Sequence, residues 1–204
     1  MATSKQKETQ RATIAWAGLL FAAAQEAGED PGYGHYSPLI AILFSAAALE
    51  GFVNELIEDF QYQEPPDDRI RALSVICGEI DERNAQLALK IQVIAAGLQG
   101  KPFDPGTQPF QDFVLLMRIR NLIMHARPQV LQLGDDSEPV RQDAVVQALA
   151  ARGIIDISGP PVTWVTIGML CAPAVGAWAY ESAVNMAKAL RSLLPKEWLA
   201  MHPF

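Results

Sequence analysis

Apolar residues recur three and four positions apart along most of this chain, the spacing of helices that bury one face. Ile14, Ala15, Gly18, Leu19 and Ala22 predict a first helix over about residues 3–27, closed by the turn-rich run Gly28-Glu29-Asp30-Pro31-Gly32-Tyr33-Gly34. Ser37 and Pro38 pair a capping side chain with a proline suited to the first turn, so a second helix starts there and runs to about Tyr62. Its apolar stripe is Ile42, Leu49, Val53, Leu56 and Phe60, and Glu50, Asn54 and Glu58 form a polar line along its edge. Pro65-Pro66 ends it, and Asp67 or Asp68 caps a third helix over residues 69–98. Leu73, Ile76, Ile80, Leu87, Ile91 and Ile94 are its core candidates, and Gly78 is its candidate bend.

A Gly/Pro-rich loop over 99–108 precedes a helix that opens at Pro109 and ends at Arg127-Pro128, because the residue before proline disfavours helical backbone. Leu115, Ile119, Leu122, Ile123 and Ala126 share one side of that helix. Asp135-Asp136-Ser137-Glu138 lacks calcium-loop spacing and reads as the start of a short helix over 139–151, stopped by Gly153. From Ile157 to Tyr180 there is no charge, and length alone would nominate a membrane span. Pro160, Pro161 and Pro173, with Gly159, Gly168 and Gly176, break it up, so no span is expected. Val162-Thr163-Trp164-Val165-Thr166-Ile167 favours an extended segment, and Pro173 opens a last helix with Val175, Trp178, Ala179, Ser182, Met186, Ala189 and Leu193. The expected architecture is all-α: one domain over 1–204, an up-and-down bundle of about five to six helices with a short extended segment near 160–168.

Composition changes this picture little. The 204 residues are 50% hydrophobic and 19% charged, a globular balance with enough chain for a core of its own. Cys77 and Cys171 lie far apart with no CxxC spacing, which reads as reduced thiols in a cytoplasmic protein. The apolar run near the start continues into helical periodicity without a cleavage site, so a signal peptide is not expected. Gly32-Tyr33-Gly34 lacks the GK[ST] of a phosphate-binding loop, and His35 beside it has no partner spaced for metal ligation. A net charge of −7 and a pI near 4.9 argue against extended nucleic-acid binding, which phosphate neutralisation sustains. A local cluster of Arg118, Arg120 and Arg127 is compatible with that balance.

The helix over 109–127 carries the candidate chemistry. Arg118, Asn121 and His125 follow i, i+3, i+7 spacing and stack along one stripe, with Met117 and Met124 beside them and Arg120 flanking. Arg120-Asn121-Leu122-Ile123-Met124-His125 fits the Arg-x4-His motif, with Asn after Arg, of the HEPN superfamily, a group of small helical domains that includes many metal-independent endoribonucleases. Ala46-Ala47-Ala48-Leu49-Glu50-Gly51-Phe52-Val53-Asn54-Glu55-Leu56 resembles the LE-x-x-x-NEL helix of some bacterial HEPN-like proteins. The resemblance covers 38–62 and 109–127, more loosely 172–194, and leaves 128–170 as an insertion it does not describe.

The resemblance implies a homodimeric ribonuclease that uses neither cofactor nor metal. His125 would be the general acid/base, Arg120 the phosphate clamp and Asn121 the orienting residue, with Glu50, Asn54 and Arg118 in support. Histidine suits proton transfer near neutrality, and arginine offers a fork of donors to phosphoryl oxygens. Arg120 and His125 are about 140° apart around an ideal helix, so a two-fold dimer that apposes two motif helices would bring both sets to one cleft. RNA is the implied substrate, with phage defence or toxin–antitoxin control as the implied setting. An antitoxin or nucleotidyltransferase partner is compatible with the resemblance, but nothing in the sequence supports one. Members controlled by nucleotide transfer often carry Tyr two residues after the His, where this chain has Arg127, and that departure argues against such control. The alternative is a non-catalytic helical dimer that keeps the same residues to bind a nucleotide, RNA or a protein.

Overall fold

A computed structural model describes residues 16–29, 36–62, 68–83, 85–125, 144–157 and 166–196. Among them are eight helices and no strand: α1 (Trp16–Glu29), α2 (Ser37–Tyr62), α3 (Asp68–Glu82), α4 (Leu87–Gln99), α5 (Phe110–Met124), α6 (Ala144–Ala151), α7 (Thr166–Leu170) and α8 (Pro173–Arg191). The all-α expectation holds, with more helices than the five to six the periodicity suggested. The expectations for residues 3–15, His35, Ala126, Arg127 and the acidic turn at 135–138 fall outside the described residues, as do Trp164, Trp198 and His202.

The fold is organised around α2. Ile42, Leu49, Val53, Leu56 and Phe60, the stripe read from the sequence, are each at most 1% exposed. Helices α1, α8, α3, α5 and α4 all pack against it. By length and composition α2 is apolar enough to cross a membrane, yet 56% of its most apolar window is buried among its neighbours. Deep burial explains its composition, because a helix enclosed on most sides is apolar on most sides. Along α8, Val175, Ala179, Ala183, Met186, Ala187 and Leu190 are buried. A Cβ at Gly176 would sit 3.0 Å from Pro38 Cα, so glycine is what lets α8 reach the backbone of α2. Exchanging Gly176 for valine is therefore expected to destabilise the bundle by about 1–3 kcal/mol through overpacking, read from thermal denaturation.

Four expectations change. The helix over 69–98 is two helices packed against each other, α3 ending at Glu82 and α4 starting at Leu87. Gly78 is not its bend; a Cβ there would meet Gln61 Nε2 of α2 at 2.9 Å. Gly97 of α4 receives the Leu73 side chain of α3, and Arg69 Nε donates to Gly97 O at 2.6 Å, so the hairpin closes at its open end too. Ile76, a predicted core residue, is 50% exposed, and Cys77 takes the buried place beside it. The extended segment near 160–168 gives way to helix α7 from Thr166 onward, while 158–165 lie outside the described residues.

The helix ends follow local chemistry. Gly100 closes α4 with φ of 81°, its N–H donating to Ala96 O. Gly153 ends α6 with φ of 70°, donating to Ala150 O at 2.8 Å while Ile154 N–H donates to Leu149 O at 3.1 Å, a Schellman pair. Asp112 in the first turn of α5 suits the positive end of the helix and also pairs with Arg152 at 2.8 Å, tying α5 to the end of α6.

Candidate functional site

Helix α5 faces the core with Phe113, Leu115, Leu116 and Ile119 buried. That leaves Arg118 and Asn121 exposed on the other side, as their spacing predicted. His125 differs from expectation. It is the residue that caps α5, with φ −117° and ψ 32°, its backbone N–H donating to Asn121 O at 2.9 Å. The imidazole is exposed to solvent rather than walled into the bundle. Met124 next to it is also exposed, at 60%, and Met117 is half-buried.

Arg120 turns the other way, toward α2. Its Nη2 donates to Glu50 Oε2 at 2.9 Å and its Nη1 to Asn121 Oδ1 at 3.0 Å. The Arg120 and Glu50 side chains are 29% and 42% exposed. An ion pair so open to water contributes at most about 1 kcal/mol, so its importance is geometric. It holds one edge of the guanidinium and leaves three of its five N–H donors for other acceptors. The structure thus brings Glu50, Arg120 and Asn121 together and leaves His125 and Arg118 on the adjoining solvent face.

Asn54 does not join that group. Its Oδ1 accepts from Lys90 Nζ at 3.1 Å, and the same ammonium makes a short ion pair with Asp81. Lys90 is 8% exposed, so three helices converge on one nearly buried cation. Sequence reasoning passed over Lys90 and Asp81. The signal was a lysine standing at a stripe position between Leu87, Ile91 and Ile94, where only a partnered charge can be buried.

Cys77 lies against this cluster. Burial, and secondarily the Asp81 carboxylate, push its thiol up to about 12, with Lys90 acting weakly in the opposite sense. Both cysteines are free thiols, and burial also raises Cys171. Below pH 9.0, the ordinary thiol value, Cys77 is protonated in both folded and unfolded chains. Between 9.0 and about 12 only the unfolded chain loses the proton, so stability falls by up to ~1.4 kcal/mol per pH unit. A Cys77→Ala variant should show a shallower loss of Tm from pH 8 to 10, and native Cys77 should resist thiol reagents that label it once unfolded.

Among the described residues no three of His, Cys, Asp and Glu converge as metal ligands would. Comparison of the chain with protein-family models, curated proteins and solved structures finds no match.

Proposed function

We propose that the chain is a metal-independent endoribonuclease of HEPN type, acting in the cytoplasm as a homodimer. The observation that carries the reading is the exposed His125 imidazole at the end of α5, one turn from the Glu50–Arg120–Asn121 group. In the reaction, a base takes the 2′-hydroxyl proton as that oxygen attacks the adjacent phosphorus. The P–O5′ bond breaks, an acid returns a proton to the leaving 5′-oxygen, and the products are a 2′,3′-cyclic phosphate and a 5′-hydroxyl. His125 serves the proton transfers, and Arg120 neutralises charge on the crowded phosphorane. Glu50 aims the guanidinium, and Asn121 steadies it from the same helix.

Within one protomer Arg120 leans to α2 while His125 faces solvent, so a single copy presents the two groups divergently. Two α5 helices apposed about a two-fold axis would supply the Arg of one copy and the His of the other to one phosphate. Met117 and Met124, adaptable and partly exposed, suit the contact between them. Single-stranded RNA incubated with the protein in EDTA should yield fragments ending in 2′,3′-cyclic phosphate. Intact RNA after prolonged incubation with dimeric protein would contradict the reading.

A second reading draws on the same ion pair. Glu50 satisfies Arg120 inside the protomer, as a hydrogen-bonded joint between α2 and α5 would require in a non-catalytic dimer that binds a nucleotide, RNA or a protein. Under that reading the wild type and Arg120→Ala alike leave RNA intact, and Arg120→Ala changes only stability, by at most about 1 kcal/mol.

A further inference from the structure

Most cations near the site are answered from within the chain. Arg120 is paired with Glu50, Lys90 is shared by Asp81 and Asn54, and Arg152 is held by Asp112. Arg118 is different. It is exposed, and among the described residues it pairs with no carboxylate. It lies seven positions before His125, which sets the two about 20° apart around the helix and ~10 Å apart along it. Exposed Asn121 lies between them.

A polyanion seated at His125 therefore meets Arg118 as an exposed cation on the same face of α5. We infer that Arg118 is a second phosphate-binding residue, gripping single-stranded RNA about two to three nucleotides from the bond held at Arg120 and His125. A stacked strand advances 3.4 Å per nucleotide, so the ~10 Å between Arg118 and His125 corresponds to roughly three steps. Arginine suits the role because its planar fork takes a phosphate bidentately without needing a buried site. The inference rests on the ribonuclease reading and adds a preference: single strands of four or more nucleotides over a dinucleotide.

Two measurements on the wild type and Arg118→Gln test it. In the first, a fluorescein-labelled octanucleotide with 2′-O-methyl groups, which has no nucleophile and so cannot be cut, is bound across a salt series. The slope of log K against log salt should fall by about 0.7, the loss of one phosphate contact on a single strand. In the second, the ratio of kcat/KM for a tetranucleotide to that for a dinucleotide should drop toward one, and an Arg118→Glu variant should lower it further. Arg118 is exposed, so both variants should keep the wild-type Tm. An unaltered slope together with an undiminished length advantage overturns the inference and leaves the ribonuclease reading intact. Wild type that binds the octanucleotide through Arg118 but cuts nothing overturns the ribonuclease reading and leaves Arg118 as a phosphate contact. Wild type that neither binds the octanucleotide nor cuts RNA overturns both.

Discussion

Replacing His125 with alanine is expected to lower RNA cleavage in EDTA by about 10²–10⁴-fold, the range for losing one general acid/base group. The imidazole is exposed and follows the last turn of α5, so its removal opens no cavity and strands no buried donor. Tm should therefore stay within a degree or two of wild type, and the loss of rate cannot be ascribed to unfolding. The backbone bond from His125 N–H to Asn121 O survives the change, which keeps the end of α5 in place. Measurement of initial rates on a labelled single strand, with circular dichroism on the same samples, gives both numbers. Retention of full activity would take His125 out of the chemistry.

Phe113→Ala should have the largest effect on stability. Phe113 is fully buried on the core side of α5, its ring 5.4 Å from that of Phe110, which in turn stacks on Phe103 at 6.2 Å. Truncating a buried phenylalanine removes its transfer free energy and leaves a cavity, together about 3–5 kcal/mol. For a chain of this size that is a fall in Tm of roughly 6–20 °C. Activity at low temperature should drop as well, because the motif residues are carried on the same helix. The contrasting variant is Ile76→Ala. Ile76 is half exposed, so a shift of under about 1 kcal/mol is expected despite its place in the apolar pattern. Equal losses for the two variants would mean that the core is drawn wrongly around α3.

The sequence carried the course of α2 almost completely, since Ser37-Pro38 marks its start and every residue of its apolar stripe is buried. The start of α8 at Pro173 and the stop at Gly153 were equally readable, because both rest on backbone chemistry local to those residues. The break between α3 and α4 was not. Neither proline nor glycine stands between Glu79 and Ala96, and the apolar rhythm continues on both sides of the turn. What folds the segment back is tertiary: Leu73 against Gly97 and Asp81 against Lys90. Ile76 was misplaced for the same reason, since periodicity marks an apolar face but not where its neighbours end. At the site, spacing on one helix gave the exposed stripe of Arg118, Asn121 and His125. The partners across helices, Glu50 with Arg120 and Lys90 with Asn54, sit 70 and 36 residues apart. The resemblance marked Glu50 as a supporting acid without naming Arg120 as its partner, and the second pair had no signal beyond a lysine among apolar residues.

The divergence of Arg120 and His125 within one protomer makes subunit complementation the most direct test. His125→Ala and Arg120→Ala proteins, each expected to be inactive alone, are unfolded together, refolded as a mixture and assayed on single-stranded RNA in EDTA. A cleft built from both copies predicts activity in the mixture well above that of either parent, because a mixed dimer keeps one intact guanidinium and one intact imidazole at the same phosphate. A mixture as silent as its parents, with mixed dimers demonstrated and wild type active under the same conditions, would contradict the shared cleft.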